Sequence, residues 1–157
     1  MQQTILMSLE EDIRQSAFRN EYQKGLINII YTCNWLMERQ KSLFDLEQIT
    51  PQQFNILRIL RGAFPKPLST MQIRERMLDK MSDTSRIVDR LVKKGVASKK
   101  PCVADKRLVD IAITPKGMSL LERLDNKNEE MDALLRGLSE PELKLLNRLL
   151  DKIREPG

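Results

Sequence analysis

The sequence predicts a mainly α-helical chain with one small β-hairpin set inside it, on three observations. Charged residues make up 31% and aromatics only 4% of the 157 residues, a balance that favours helices over an aromatic-laden β-sandwich. Apolar residues recur at helical spacing along most of the chain, and Ser or Thr followed three residues later by Gln or Glu marks several helix starts. The helical pattern stops at Gly95, gives way to two strand-like runs, Val96 to Lys100 and Leu108 to Ile113, and resumes at Thr114-Pro115. A pair of short helices, a hairpin and a further helix is the order of a winged helix-turn-helix, here flanked by N- and C-terminal helices.

The length suits one domain over residues 1–157, with a winged portion at 50–117 between helical segments at 18–49 and 118–157. The N-terminus has no basic-then-apolar leader pattern, and no apolar run approaches the ~18 residues that span a bilayer, so a cytoplasmic protein without a membrane partner is expected. Two cysteines, Cys33 and Cys102, fit no metal spacing, and the absence of His removes zinc sites and His-based triads. The carboxylates are scattered over helix faces, and neither a Gly-rich phosphate loop nor a nucleophile beside a base is present. Neither an enzyme nor a cofactor is expected.

In chain order, Ile5, Leu6, Leu9 and Ile13 recur at roughly helical spacing and suggest a short amphipathic helix. From Phe18 to Phe44, Tyr22, Leu26, Ile29, Cys33, Leu36 and Gln40 alternate steps of four and three, the spacing of a helix–helix seam. Tyr31 and Trp35, with Asn28, lie on a different face. A helix apolar on two faces needs cover on both. Either both covers come from within the chain or one comes from a second subunit.

Thr50-Pro51-Gln52-Gln53 opens the next helix with a capping box, and Phe54, Leu57, Ile59 and Leu60 carry its apolar stripe to Gly62. Ser69 and Gln72 repeat the box. The helix from Met71 to about Asp79 is expected to bury Ile73, Met77 and Leu78 and to be the first of the helix-turn-helix pair. Met81-Ser82 then form the turn, and Ser82 caps the second helix, with Asp83 in its first turn. On that helix Ile87, Val88 and Leu91 point inward while Ser85, Arg86, Asp89, Arg90 and Lys93 point outward. Thr84 and Ser85 lie near its N-terminal end, the part of such helices that reaches base edges.

Val109, Ile111 and Ile113 alternate with Asp110 and Ala112 as a half-buried strand. From Thr114 one long helix is expected to reach about Arg136 and to stop at Gly137. Ser139-Glu140-Pro141-Glu142 opens a last helix carrying Leu145, Leu146, Leu149 and Ile153, a patch that would be large if left uncovered. The charge is as informative as the periodicity. Arg86, Arg90, Lys93, Lys94, Lys99, Lys100, Lys106 and Arg107 stand against three Asp between Ser82 and Arg107, so the whole formal charge of +5 falls in one sixth of the chain. Such an excess on one helix and its hairpin is the footprint of a DNA-binding surface.

At these residues the sequence resembles the MarR family of bacterial transcription regulators. The likeness is carried by Arg90-Leu91, Lys94-Gly95, Asp105-Lys106-Arg107 and Thr114-Pro115-Lys116-Gly117, with Ile113 where the family usually has Leu. The resemblance implies a homodimeric repressor on a pseudo-palindromic operator in double-stranded DNA, with first and last helices packed against those of a second subunit. It implies that Ser82, Thr84, Ser85, Arg86, Arg90, Lys93, Lys106 and Arg107 serve DNA, with Arg107 reaching a minor groove and Asp105 orienting it. It also implies a small aromatic or phenolic effector, for which Tyr31 and Trp35 would line a crevice between dimerisation helices and winged region.

Two rival readings stand beside this one. A winged helix can serve protein–protein contact alone, although such a module has no need of Arg86, Arg90 and Arg107 on one surface. Redox sensing is the other: Cys33 falls on the apolar seam and is expected to be a buried, inert thiol, whereas Cys102 sits among lysines that stabilise thiolate.

Overall fold

The computed structural model describes residues 8–103, 105 and 107–155. They cluster as two compact units, one up to Arg39 and one from Gln40 onward, with the boundary inside a continuous helix. The expected helix through Ile5 and Leu6 falls partly outside the described residues. What is described there is one short helix, α1 (Leu9–Asp12), whose N-terminal Ser8 N–H donates to Glu11 Oε2 at 3.0 Å.

Helix α2 (Glu21–Asp45) starts where Asn20 Oδ1 accepts the Gln23 N–H at 3.0 Å. Its expected seam is not covered within the chain: Tyr22 is 88% and Leu26 61% exposed, and Ile29 and Cys33 are exposed too. Cys33 is therefore not the buried thiol that the spacing suggests. Periodicity identifies an apolar face; it does not say whether the same chain covers it.

The second unit carries the core. Helix α3 (Pro51–Ala63) begins at the Thr50–Gln53 capping box, with both reciprocal bonds formed at 3.1 and 3.2 Å. Helix α4 (Thr70–Arg76) begins at the matching Ser69–Gln72 box, at 2.9 and 3.2 Å. Helix α5 is Thr84–Lys93, strands β1 and β2 are Ala97–Pro101 and Val109–Ile113, and helix α6 is Pro115–Asp125. The strands pair antiparallel with Lys99 opposite Ile111. Ile56, Leu57 and Leu60 of α3, Ile73 of α4, Val88 and Leu91 of α5, Ile111 of β2, and Leu121 and Leu124 of α6 meet in one cluster with almost no solvent contact. Burying side chains of this size contributes about 1.5–3 kcal/mol each, which is what holds these short elements together.

A third strand position is added by Leu68. It exchanges both backbone bonds with Ile111 at 2.9 Å, which ties the hairpin to the loop between α3 and α4. Two of the expected helices end differently. α4 stops at Arg76, and Met77 turns extended, so Met77 stays buried while Leu78 swings out to 88% exposure. Its N–H then donates to Asn55 Oδ1 at 2.9 Å. The helix expected from Thr114 to Arg136 breaks at Asn126-Lys127, where the Lys127 N–H takes the Leu124 carbonyl at 2.9 Å. A short α7 (Asn128–Asp132), a 3-10 turn at Ala133–Leu135 and the last helix α8 (Glu140–Ile153) follow. Leu145, Leu149 and Ile153 of α8 are 44%, 49% and 65% exposed, so the leucine-rich face predicted for this helix is open in the single chain. No helix among the described residues is long and apolar enough to cross a membrane.

The break after α6 coincides with two ion pairs that reach across the unit. Arg61 grips Asp125 with two bonds at 2.5 and 3.2 Å, and Arg123 grips Glu47 at 2.7 and 3.0 Å. The guanidinium of Arg61 holds the Asp125 carboxyl below its ordinary range, and that of Arg123 does the same for Glu47. A carboxyl depressed in the folded state adds stability above its unfolded value, near pH 4, and that stability is lost as pH falls through the lower folded value. Urea midpoints should therefore hold from neutral pH to about pH 5 and then drop. In an Asp125→Asn, Glu47→Gln protein the drop should be shallower. Parallel midpoint curves for the two proteins would show that neither pair carries the acid sensitivity.

Candidate nucleic-acid interface

Helix α5 is held at both ends by local chemistry. At its start the cap is Asp83 and not Ser82: Asp83 Oδ1 accepts the Arg86 N–H at 3.2 Å, while the Ser82 hydroxyl donates to Asp79 Oδ2 at 2.5 Å. Both are capping residue types, and the choice between them depends on Asp79, which holds Ser82 in the preceding turn. At its end the Val96 N–H reaches the Leu91 carbonyl at 3.1 Å and the Gly95 N–H reaches that of Val92 at 2.9 Å, a Schellman closure. Gly95 makes this possible with φ of 73°, a conformation that a Cβ penalises.

Between these ends the helix divides by face. Val88 and Leu91 are fully buried and Ile87 half-buried, while Ser85, Arg86, Asp89, Arg90 and Lys93 face solvent. Thr84 departs from the sequence expectation. It is only 4% exposed and its hydroxyl donates to Met77 Sδ at 3.2 Å, so it seals the α4–α5 junction instead of joining the outer face. The extended Met77 occupies the space beneath the helix start, and a threonine there satisfies its hydroxyl on sulfur.

The basic residues fall into three groups. Arg86 is 82% exposed but steered by Asp83, 3.2 Å from Nε to Oδ2, and Arg107 is 91% exposed and steered by Asp105. Lys94 donates to the Gln48 carbonyl, and Lys99 pairs with Asp89 at 2.9 Å, linking β1 to the outer face of α5. Arg90, Lys93 and Lys100 have no protein partner among the described residues and remain available to an external anion. Lys106 lies outside the described residues.

At the hairpin tip the Leu108 N–H takes the Asp105 carbonyl at 2.9 Å and the Cys102 N–H takes the Leu108 carbonyl at 3.0 Å. Asp105 receives the Arg107 backbone N–H at 3.0 Å and, on its two oxygens, Nε at 3.2 Å and a terminal guanidinium nitrogen at 3.3 Å. Its carboxyl is held below the ordinary range, first by the guanidinium and then by the backbone N–H. A forked contact of this kind orients a guanidinium that is otherwise free in water. Asp83 plays the same part for Arg86. The sequence places Asp83 at the start of this helix, and its position three residues before an arginine is the signal for the second role.

Tyr31 and Trp35 do share a groove. With Leu9, Lys24, Asn28 and Thr32 they line an open depression of about 450 Å³ along α1 and α2, bounded by the Glu10–Lys24 ion pair. The residues that line this groove all belong to the first unit. The Arg39 guanidinium lies 5.0 Å from the Trp35 ring centre. Of the cysteines, Cys33 is exposed and Cys102 half-buried. Among the described residues no cluster of His, Cys, Asp or Glu could hold a metal ion.

A capped helix with a cationic outer face, preceded by a short helix and followed by a hairpin carrying a steered arginine, defines a winged helix-turn-helix protein of the DNA-binding class. The family model that matches, over residues 47–108, is described as the MarR family. The chain is 28% identical over 147 residues to the HTH-type transcriptional repressor IacR of Pseudomonas putida, covering 90% of this chain and 84% of that one. Its fold matches the MarR transcription factor of Planctomyces limnophilus with a TM-score of 0.67 at 27% identity, over 86% of this chain and 98% of that one. It also matches a mutant E. coli MarR complexed with operator DNA, TM-score 0.75 at 22% identity, over 95% and 100% of the two chains. Residues 47–108 thus match the MarR family, and the chain is a DNA-binding transcriptional regulator.

Proposed function

We propose that the protein acts as a homodimeric repressor on a pseudo-palindromic operator and is released by a small aromatic or phenolic effector. The observation that carries the DNA part is the exposure of Ser85, Arg86, Arg90 and Lys93 on the outer face of α5, tied through Lys99–Asp89 to a hairpin whose tip exposes Arg107. A two-fold dimer would place two such helices about one helical turn of DNA apart. The uncovered stripes, Tyr22 to Ile29 on α2 and Leu145 to Ile153 on α8, support a second copy as their cover. A name containing "repressor" on a relative at 28% identity supports the sign of regulation.

Selection of genomic fragments by the purified protein, followed by titration of the recovered site against random duplex, tests the reading. The recovered site should be an inverted repeat bound roughly 10³-fold or more tighter than random DNA, with both affinities falling steeply with salt. Recovery of no preferred fragment, with no salt-dependent duplex binding, would leave the winged helix as a protein-contact module. Light scattering at micromolar concentration should give a dimer, and a stable folded monomer would remove the two-fold part of the proposal.

The effector part rests on the groove beside Tyr31 and Trp35, whose size lies within the usual range for small ligands. A panel of aromatic carboxylates and phenols should contain a compound that quenches Trp35, the single tryptophan, and weakens operator binding about 5- to 150-fold. Compounds that quench without changing operator affinity would make the groove a binding site without a regulatory part.

A further inference from the structure

Three large apolar residues, Met71 in the first turn of α4 and Leu78 and Met81 in the turn between α4 and α5, are 68%, 88% and 93% exposed. The core does not call for them, since Ile73 and Met77 already fill the inner side of the same segment. Two of the three, Met71 and Met81, face one open depression of about 560 Å³, whose polar rim is Arg74, Ser82, Asp83 and Ser85. That depression opens at the N-terminal turn of α5, where Thr84 and Ser85 also line it. The turn that presents Met81 is pinned: Asp79 accepts the Met81 N–H at 3.0 Å and the Ser82 hydroxyl at 2.5 Å.

Apolar side chains are poorly placed on a surface meant for a polyanion unless the polyanion offers an apolar group. In the major groove B-DNA offers one, the 5-methyl of thymine. Methionine suits it, being unbranched, polarizable and able to follow an irregular contact. We infer that Met81 and Met71 are specificity residues that clasp a thymine methyl in each half-site, beside the bases met by Ser85 and Arg86. The inference rests on the DNA-binding reading above and adds to it a stated base and chemical group. The cationic neighbours Arg74 and Arg86 argue for this occupant over an apolar peptide, which gains nothing from them.

Replacing each thymine of the selected operator by uracil, one at a time, removes a methyl and nothing else. For the wild-type protein one or two positions per half-site should lose about fourfold in affinity, the worth of one buried methyl-sized group. Met81→Ser should bind the thymine operator with a comparable loss and no longer distinguish uracil from thymine at its position; Met71→Ser should do the same at that position or its neighbour. Both side chains are largely in water, so circular dichroism and thermal midpoints should match the wild type. A wild-type protein that binds the operator tightly but ignores every uracil overturns the methyl contact and leaves the DNA reading intact. So does uracil sensitivity that persists unchanged in both serine variants. Failure of the wild type to bind duplex DNA at all overturns both.

Discussion

Replacing Gly117 by alanine is expected to destabilise the protein by about 3 kcal/mol, at the upper end of overpacking costs. A Cβ at this position would lie 2.2 Å from the Val96 carbonyl oxygen and 2.7 Å from Ile113 Cγ1. Neither neighbour is free to retreat. The Val96 N–H is part of the Schellman closure of α5, and the Val96 carbonyl accepts the Thr114 N–H at 3.2 Å. Ile113 ends β2 and is itself in the core. The Gly117 N–H is also one of the orphan donors of α6, satisfied by the Thr114 hydroxyl at 3.1 Å, so the backbone cannot shift without losing that bond. Lys116 adds a further tie by donating to the Lys94 carbonyl at 2.9 Å. Gly137 is the control, since nothing lies within 4 Å of a Cβ there and Gly137→Ala should change stability by less than ~0.5 kcal/mol. Urea denaturation of the two variants reads the difference. A Gly117→Ala midpoint within error of the wild type would mean that the junction of α5, hairpin and α6 is looser than its distances imply.

Arg86→Ala and Arg107→Ala should both weaken operator binding, with different signatures. Arg86 stands on the exposed face in the first turn of α5, its guanidinium aimed by Asp83, where a forked contact to a guanine edge is within reach. Its loss should cost about 1–3 kcal/mol on the selected operator and relax preference at one base position. Arg107 stands at the hairpin tip and, on the proposed reading, meets a narrow minor groove, whose negative potential attracts a guanidinium with little base information. Its loss should weaken operator and random duplex more evenly and make the slope of log K against log salt shallower by about one unit. Asp105→Ala should reproduce part of the Arg107 effect, because a side chain 91% in water then loses the carboxylate that orients it. An Arg107→Ala protein with unchanged affinity and salt slope would show that the hairpin makes no contact with DNA, and the mechanism would rest on α5 alone.

The sequence by itself determined the parts of this protein whose chemistry is local. The boxes at Thr50–Gln53 and Ser69–Gln72, the Thr114 cap with Pro115 behind it, and the closure at Gly95 each depend on partners three to five residues apart. They could therefore be read before any packing was known. The same holds for the hairpin, whose alternation of Val109, Ile111 and Ile113 selects one face, and for the concentration of cationic residues on α5. What required the tertiary structure was every feature set by distant partners. Leu68 joins the hairpin across 43 residues; Asp125 ends α6 against Arg61, 64 residues away in sequence; Glu47 meets Arg123 across 76. Thr84 turned inward and Leu78 outward because α4 stops at Arg76 and Met77 extends beneath α5, and a one-residue change of helix end rotates each following side chain by about 100°. Helical periodicity says which residues share a face, but the neighbour that covers that face, or leaves it open as on α2 and α8, belongs to the rest of the chain and to whatever the chain binds.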